Sequence, residues 1–289
     1  MQEETNIYFA GIDIGSTMTK VIILEDKDKV CSKVVGPTGA EHRRLANRVT
    51  HDALEHAGIS IDEVAYIVAT GYGRISVPFA DRQITELTCH AKGISTLFPT
   101  ARTAIDIGGQ DAKGLKISNG KLVDFVMNDK CAAGTGRFLE VIAEALSIRV
   151  EDLGTISLQS TNKITISNTC TIFAQQEITS CLSDGIPLED ILAGLHDAIA
   201  TRVIGMVKRL GIQPSVVLTG GVAKNIGIIK AMEENLGHTL LVPEDPLFSG
   251  ALGAAILGRE FVMQSLAEGT DAPKKERHLE AITFFSQEN

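Results

Sequence analysis

Two segments of the sequence repeat one pattern of residues that is suited to binding an anion. Residues 12–20 read IDIGSTMTK, and residues 105–113 read IDIGGQDAK. Each has an apolar run, an aspartate, a turn of small residues and a lysine, followed by a second apolar stretch. This pattern predicts a β-hairpin whose turn presents backbone N–H groups, and consecutive N–H groups of this kind bind anions. The internal repeat indicates two structurally similar halves.

The aspartate in each segment indicates a divalent cation beside the bound anion. Asp13 and Asp106 would repel a bare phosphate group, whereas Mg²⁺ accepts carboxylate, water and phosphate oxygens together. The turns offer glycines that admit close approach of the backbone, hydroxyl donors and a lysine. We expect nucleotide contacts from Gly15, Ser16, Thr17, Lys20, Gly108 and Gly109.

A third glycine turn, Gly220-Gly221, follows an apolar run and precedes a helical pattern. The N-terminus of a helix presents free N–H groups, and a pair of glycines leaves room for a flat ring against the backbone. Each turn alone is most often an ordinary tight turn. Three of them in two matched halves favour a site for a nucleotide.

Strand and helix patterns alternate along the chain, which predicts an α/β fold. Besides the two hairpins, short strands are expected at 64–69, 164–166, 216–218 and 239–242. Helices are expected at 41–58, 83–97, 188–210 and 249–257. The expected organisation is a first lobe over 1–100, a second lobe over 101–262 and a polar, solvated tail over 263–289.

Composition excludes several classes of partner. The 289 residues carry a net charge of −9 and no long basic run, which argues against nucleic acid as the main partner. No apolar run approaches the roughly 20 residues of a membrane span. Residues 1–6 are acidic and polar, with no pattern of a secretory signal. We therefore expect a cytoplasmic protein.

Two of the five cysteines occupy positions suited to metal binding. Cys131 precedes Ala-Ala-Gly-Thr-Gly and a helix, and Cys170 follows Ser-Asn-Thr and also precedes a helix. A helix N-terminus favours the thiolate, and thiolates bind zinc and iron–sulfur clusters. Two thiolates make half of a four-ligand site, which a symmetric dimer would complete.

The remaining cysteines, Cys31, Cys89 and Cys181, are expected to be structural thiols. An intramolecular site that uses Cys131, Cys170 and Cys181 is the alternative to the site bridging a dimer.

The three glycine turns, in this order, resemble the two phosphate motifs and the adenosine motif of the actin, sugar kinase and heat-shock chaperone ATPase superfamily. The resemblance implies duplicated, ribonuclease H-like lobes with the nucleotide in a central cleft. Asp13 matches the residue that holds Mg²⁺ through water. Asp106 or Gln110 matches the catalytic residue that orients the attacking water. Gly220 and Gly221 match the pair that flanks the adenine.

Longer strings around the cysteines resemble one family within that superfamily. Residues 127–139 read MNDKCAAGTGRFL and residues 169–174 read TCTIFA; further strings are ATGYGR at 69–74 and ELTCHA at 86–91. They resemble the activators of 2-hydroxyacyl-CoA dehydratases (component A, or archerases) of the BadF/BadG/BcrA/BcrD type, whose relatives serve benzoyl-CoA reductases. The similarity runs from about residue 7 to about residue 258.

The resemblance implies a homodimer with one 4Fe–4S cluster, whose ligands are Cys131 and Cys170 of each protomer. We also expect Gly134 and Gly136 to contact the nucleotide. ATP binding and hydrolysis would change the angle between the helices that flank the cluster. One electron at low potential would then pass to an iron–sulfur dehydratase or reductase, with ferredoxin or flavodoxin as the donor.

Three alternatives remain open on the sequence alone. In the first, the chain is still an activator, but its acceptor is a benzoyl-CoA reductase-like enzyme or another iron–sulfur reductase. In the second, the chain is a small-molecule kinase of the same fold, although no sugar-binding insertion separates its halves. In the third, it is a structural or regulatory ATPase whose dimer is bridged by zinc.

Overall fold

The structure, a computed structural model, describes residues 6–26, 29–277 and 279. The chain divides into two compact units, the first with residues 1–96 and 248–289 and the second with residues 97–247. Most of the acidic N-terminal segment and the end of the expected tail lie outside the described residues.

The secondary structure alternates as expected for an α/β protein. The strands are β1 (Tyr8–Ile14), β2 (Met18–Glu25), β3 (Val30–Pro37), β4 (Val64–Thr70), β5 (Arg82–Gln83), β6 (Thr103–Ile107), β7 (Ala112–Ser118), β8 (Lys121–Asn128) and β9 (Val216–Thr219). The helices are α1 (His42–Ala57), α2 (Glu86–Leu97), α3 (Gly136–Leu146), α4 (Asp152–Ser157), α5 (Thr171–Ser183), α6 (Leu188–Val207), α7 (Ile226–Leu236) and α8 (Ser249–Ala267).

The first unit is built on a five-stranded sheet in the order β3-β2-β1-β4-β5. The strand β1 pairs antiparallel with β2 and parallel with β4. Side chains of α1 join one apolar cluster with one face of β1, and side chains of α8 join another cluster with the opposite face. Because both faces are covered, β1 is apolar at successive positions rather than at alternate ones.

The second unit repeats the arrangement of the first with a four-stranded sheet in the order β8-β7-β6-β9. Here β6 pairs antiparallel with β7 and parallel with β9. In both units a three-stranded antiparallel meander is followed by a parallel strand beside its first strand. The duplication that the repeated motif predicts is therefore confirmed, as are both hairpins.

Most predicted elements are confirmed, but two predicted strands are wrong. Residues 164–166 run without regular structure, and Leu241 makes only an isolated bridge with Val217. In the first segment Gly194 of α6 comes so close that a Cβ there would lie 2.3 Å from the Ile164 carbonyl oxygen. The short apolar run at 164–166 thus packs on a helix, and its composition resembles that of a buried strand.

The C-terminal part of the chain differs from the expected organisation. Residues 248–262 group with the first unit, because α8 packs on β1, β2 and β4. This helix continues to Ala267, five residues into the expected tail. Beyond it, the Arg277 guanidinium bonds to Ile61 and Ala65 carbonyl oxygens and to Asp81, so a fully solvated tail is wrong for this stretch. None of the helices in the described chain combines the length and apolar character that crossing a membrane requires.

Candidate functional site

In the first hairpin a buried carboxylate is held beside the turn. Asp13 lies opposite Lys20 in the β1–β2 register, and the Lys20 Nζ is 3.1 Å from Asp13 Oδ2. Asp13 Oδ1 is buried and accepts no hydrogen bond within the described chain. A buried oxygen of this kind needs a partner, so the site fits a hydrated Mg²⁺. Lys20 is placed here as the partner of Asp13.

Two glycines, which were not among the expected site residues, leave space around this carboxylate: Gly71, from the ATGYGR string, and Gly250. A Cβ at Gly71 would lie 2.5 Å from Asp13 Oδ1, and a Cβ at Gly250 would lie 3.1 Å from Asp13 Oδ2. Gly71 belongs to the loop after β4 and Gly250 to the start of α8. Any larger residue at these positions would crowd the carboxylate.

The first turn itself is open to a ligand. The Gly15 N–H donates to the Met18 carbonyl at 3.1 Å and closes the turn. Ser16 is half-buried and Thr17 is exposed. The Thr17 carbonyl accepts the Thr38 N–H at 2.9 Å, which ties the turn to the segment after β3. Phosphate contacts of these residues stay a prediction.

The second hairpin has the same register but a more complete set of partners. Asp106 lies opposite Lys113, and its Oδ1 accepts the Thr219 hydroxyl from β9 at 2.8 Å. The Lys113 Nζ lies 3.7 Å from Asp106 Oδ2 and 2.7 Å from Asp111 Oδ2. All four side chains are buried. Asp106 is thus held in a network, whereas Gln110 is exposed at the turn.

The turn of the second hairpin is bonded directly to the start of α3, the helix that follows the loop of Cys131. The Gly136 N–H donates to the Gly108 carbonyl at 2.8 Å, and the Arg137 N–H donates to the Gly109 carbonyl at 2.7 Å. A Cβ at Gly136 would lie 3.2 Å from the Gly109 Cα. Gly136 therefore packs against the turn, and its N–H is already hydrogen-bonded to the Gly108 carbonyl. Contacts of Gly134 and Gly136 with a nucleotide stay a prediction.

The glycine pair at the end of β9 differs in its two members. Gly220 has a φ of +87°, and a Cβ there would lie 2.3 Å from the Ile107 carbonyl oxygen. This position requires glycine for both its dihedral angle and its close contact. Among the described residues, a Cβ at Gly221 would contact only the Leu247 side chain, at 3.6 Å. Asn225 then caps α7 by accepting the N–H groups of Gly227 and Ile228.

Cys131 and Cys170 are partly buried, free thiols of the second unit. Cys170 is the residue immediately before α5, as predicted. The Asn128 amide donates to the carbonyl oxygens of Cys131 and Ala133, at 2.8 and 3.1 Å. The Arg202 side chain bonds to both cysteine loops, which the sequence patterns did not reveal.

The other three cysteines have surroundings typical of structural thiols. Burial raises the pKa of the Cys89 thiol to about 12, and burial also raises the pKa of Cys31 and of Cys181. Among the described residues, the group of three potential metal ligands whose atoms converge is His51, Asp52 and Glu55 on α1. Cys131, Cys170 and Cys181 do not converge in this way, which argues against the intramolecular site.

Comparison with known proteins assigns the family. The profile of the BadF/BadG/BcrA/BcrD ATPase family matches residues 10–258. The 2-hydroxyisocaproyl-CoA dehydratase activator of Clostridioides difficile is 46% identical over 91% of this chain and 98% of its own. The (R)-2-hydroxyglutaryl-CoA dehydratase activating ATPase of Acidaminococcus fermentans is 46% identical over 87% of this chain and 96% of its own.

A solved structure agrees with this assignment. The activator of the 2-hydroxyisocaproyl-CoA dehydratase from Clostridium difficile with bound ADPNP superposes with a TM-score of 0.84 and 43% identity, covering 94% of this chain and all of that one. The duplicated hairpins, the glycine turns and the sheet topology agree with this match. The chain therefore belongs to the BadF/BadG/BcrA/BcrD ATPase family, and it is an ATPase with the actin-like α/β fold.

Proposed function

We propose that the chain is an ATP-dependent activator that transfers low-potential electrons to an iron–sulfur dehydratase or reductase. Its cluster would be a 4Fe–4S cluster held by Cys131 and Cys170 of two copies. The observation that carries the proposal is the pair of bonds from Gly136 and Arg137 to the turn of the second hairpin. Through them, a change at the proposed phosphate turn would reach the start of α3 and, from there, the loop of Cys131 that precedes it.

The residues of this chain fit such a cluster. Cys131 and Cys170 are free, partly exposed thiols, and thiolates are the ligands of iron–sulfur clusters. Two thiols are half of the four required, so a second copy supplies the others. Once bound, the cluster would supply one electron at low potential.

ATP hydrolysis is assigned to residues of both hairpins. Ser16 and Thr17 bind phosphate oxygens, and Asp13 holds Mg²⁺ through water with its Oδ1, which has no partner in the described part of the chain. Gln110, exposed at its turn, orients the attacking water, while Thr219 and Lys113 hold Asp106 in place. Water takes the γ-phosphoryl group. Gly220 and Gly221 flank the adenine.

The partners follow from the relatives. Two relatives at 46% identity are named for 2-hydroxyacyl-CoA dehydratases, so an enzyme of that class is the proposed acceptor. A benzoyl-CoA reductase-like enzyme is the alternative acceptor. The proposed donor is ferredoxin or flavodoxin, and the proposed setting is the cytoplasm, where thiols stay reduced.

The test is metal analysis of matched cysteine variants. Anaerobically purified or reconstituted protein should form a brown dimer with iron and sulfide. The substitutions Cys131→Ser and Cys170→Ser should each abolish the cluster, because each removes a ligand from both protomers. Cys181→Ser is the control and should keep the cluster.

Other outcomes would favour the alternatives. Protein that stays colourless after reconstitution contradicts the proposal. Zinc in place of iron, with no redox change on adding dithionite, would indicate the zinc-bridged regulatory dimer. Transfer of the γ-phosphoryl group to an added sugar or acid, with no need for iron, would indicate a kinase.

A further inference from the structure

One side chain joins the two loops that carry Cys131 and Cys170. Arg202 projects from α6, and its Nε donates to the Ala133 carbonyl oxygen at 2.8 Å. Its Nη1 donates to the Asn168 carbonyl oxygen at 2.9 Å. Ala133 lies two residues after Cys131, and Asn168 lies two residues before Cys170. The two cysteine loops are therefore held by one guanidinium group.

The rigid guanidinium group of Arg202 constrains the distance between the two carbonyl oxygens that it binds. The guanidinium is planar, and its N–H donors lie in a fixed arrangement, unlike the single rotating ammonium of lysine. Hydrogen bonds from a charged donor are also roughly twice as strong as neutral ones. The geometry of Arg202 consequently constrains the separation of the two carbonyl oxygens.

Each loop has local support besides this bridge. The Asn128 amide binds the Cys131 loop, and the Ser167 N–H donates to Glu177 of α5 at 2.8 Å in the Cys170 loop. Gly134, with a φ of +88°, packs on the stem of Arg202, whose Cδ would lie 3.3 Å from a Cβ there. Loss of Arg202 would leave the local contacts in place and remove this hydrogen-bonded link between the loops.

The charge of Arg202 points to an anionic group beside the loops. Arg202 is partly buried, and within the described chain its guanidinium lies within 4.0 Å of no carboxylate. Its two acceptors are neutral carbonyl oxygens. Partly removing a cation from water is costly without a compensating negative charge. Two thiolates and a cluster between protomers would supply that charge.

We propose that Arg202 is a positioning residue that fixes the spacing of Cys131 and Cys170 and compensates the negative charge of the group that they bind. This inference rests on the proposed cluster. It adds to that proposal a residue that binds neither ATP nor iron.

The test compares three variants with the wild-type chain. Arg202→Gln removes the charge and the paired donors, and Arg202→Lys keeps the charge but can bond well to only one carbonyl. Arg209→Gln is the matched control, because it removes the same charge from an exposed residue just beyond α6. The readouts are hydrogen exchange of the apo chain, the rate of iron release to a chelator, and the reduction potential.

The apo chain tests the positioning directly. In Arg202→Gln, exchange should rise in both residues 132–135 and residues 167–170, while Arg209→Gln should match the wild type. In the reconstituted protein, Arg202→Gln should release iron about tenfold faster than the wild type, because losing one hydrogen bond from a charged group has an effect of about this size. Arg202→Lys should release iron at an intermediate rate.

The reduction potential of the cluster distinguishes the effect of the Arg202 charge from the effect of its hydrogen-bond geometry. Arg202→Gln should have a more negative reduction potential, since a nearby cation stabilises the reduced, more anionic cluster, and Arg202→Lys should restore most of the wild-type value. A general structural role would not give this rescue. Wild-type exchange in either loop of Arg202→Gln, or a wild-type rate of iron release, would overturn the inference.

The experiment also distinguishes failure of this inference from failure of the proposed function. If the wild-type chain takes up no iron, the proposed cluster is wrong, and the exchange of the two loops in the apo chain still decides whether Arg202 links them. If the wild-type chain is loaded and Arg202→Gln behaves like Arg209→Gln, the cluster stands and the role of Arg202 is wrong.

Discussion

The two repeated aspartates share a register position but differ in their hydrogen-bond partners. Asp13 keeps one buried oxygen that has no hydrogen-bond partner among the described residues, whereas Asp106 receives the Thr219 hydroxyl and lies beside Lys113. A carboxylate with an unused oxygen suits a metal-bound water, and one with both oxygens engaged suits a fixed negative charge. The duplication therefore places two similar hairpins in the chain, with different chemical roles expected for their aspartates.

A buried histidine of the second unit makes the stability of this unit depend on pH. Burial lowers the pKa of His196 to about 4, from an ordinary value of 6.5. Its Nδ1 lies 2.9 Å from the Ser157 hydroxyl, and its Nε2 lies 3.3 Å from the Asn225 amide. The amide is a donor, so Nε2 accepts and Nδ1 carries the proton. The imidazole is thus neutral in the folded chain and becomes protonated more readily when unfolded.

The sign of the pH effect follows from this difference. Between pH 6.5 and pH 4 the unfolded chain binds the additional proton, so the contribution of His196 is complete above pH 6.5 and is lost as the pH falls through this window. Denaturant unfolding should show this loss as roughly 3 kcal/mol in the wild type. His196→Gln should lack it, and parallel pH curves for the two proteins would contradict the assignment.

At the scale of elements, close contact between helix backbones holds the first unit together. A Cβ at Gly253 of α8 would lie 1.8 Å from the Cys89 carbonyl oxygen of α2, and a Cβ at Gly93 would lie 2.0 Å from the Ser249 carbonyl oxygen. The two helices therefore touch through their backbones where both have glycine. The small, apolar start of α8 is explained by this contact.

Gly253→Ala should destabilise the chain by about 1–3 kcal/mol, the usual cost of overpacking, because the obstructing atom belongs to the backbone. Gly205→Ala is the matched control: this glycine lies in α6, and apart from its own helix backbone no atom of the described residues lies within 4 Å of an added Cβ. The control should stabilise the chain by about 0.5–1 kcal/mol through helix propensity. Thermal or denaturant unfolding measures both. Equal effects of the two substitutions would show that the α2–α8 contact is not tight.

The elements that the sequence could predict are those fixed by local patterns. The alternation around Asp13 and Asp106 predicts both hairpins, and Gly58 ends α1 with a φ of +70° as expected for a helix stop. The bond between Thr219 and Asp106 depends instead on the parallel pairing of β6 with β9. Arg202 acts on two loops from a third element. Such partners lie far apart in the sequence and have no periodic signal.

For the whole molecule, the proposed redox site is incomplete in one chain. Each chain would hold its own nucleotide, yet the converging ligands that a metal needs are not found around Cys131 and Cys170 in the described part of one copy. Assembly is therefore part of the proposed chemistry. The two duplicated hairpins carry the residues proposed for ATP hydrolysis, and the segment between β8 and β9 carries Cys131 and Cys170.

The segment after α8 is anchored to the rest of the first unit by a buried ion pair. Arg277 pairs with Asp81, whose other oxygen accepts the Lys275 N–H at 2.8 Å, and Asp81 also accepts the Ile67 N–H of β4 at 2.8 Å. The side chains of Asp81 and Arg277 are 0% and 6% exposed. Removing the arginine would leave a buried carboxylate without its cation.

Arg277→Ala should therefore lower the free energy of unfolding by about 3 kcal/mol, as is usual when one partner of a buried ion pair is removed. Lys274→Ala is the control, because it removes an exposed cation from the same segment and should change the free energy by less than about 0.5 kcal/mol. Denaturant unfolding of the full chain gives both values. A loss for Arg277→Ala no larger than that of the control would show that the segment is not anchored through Asp81.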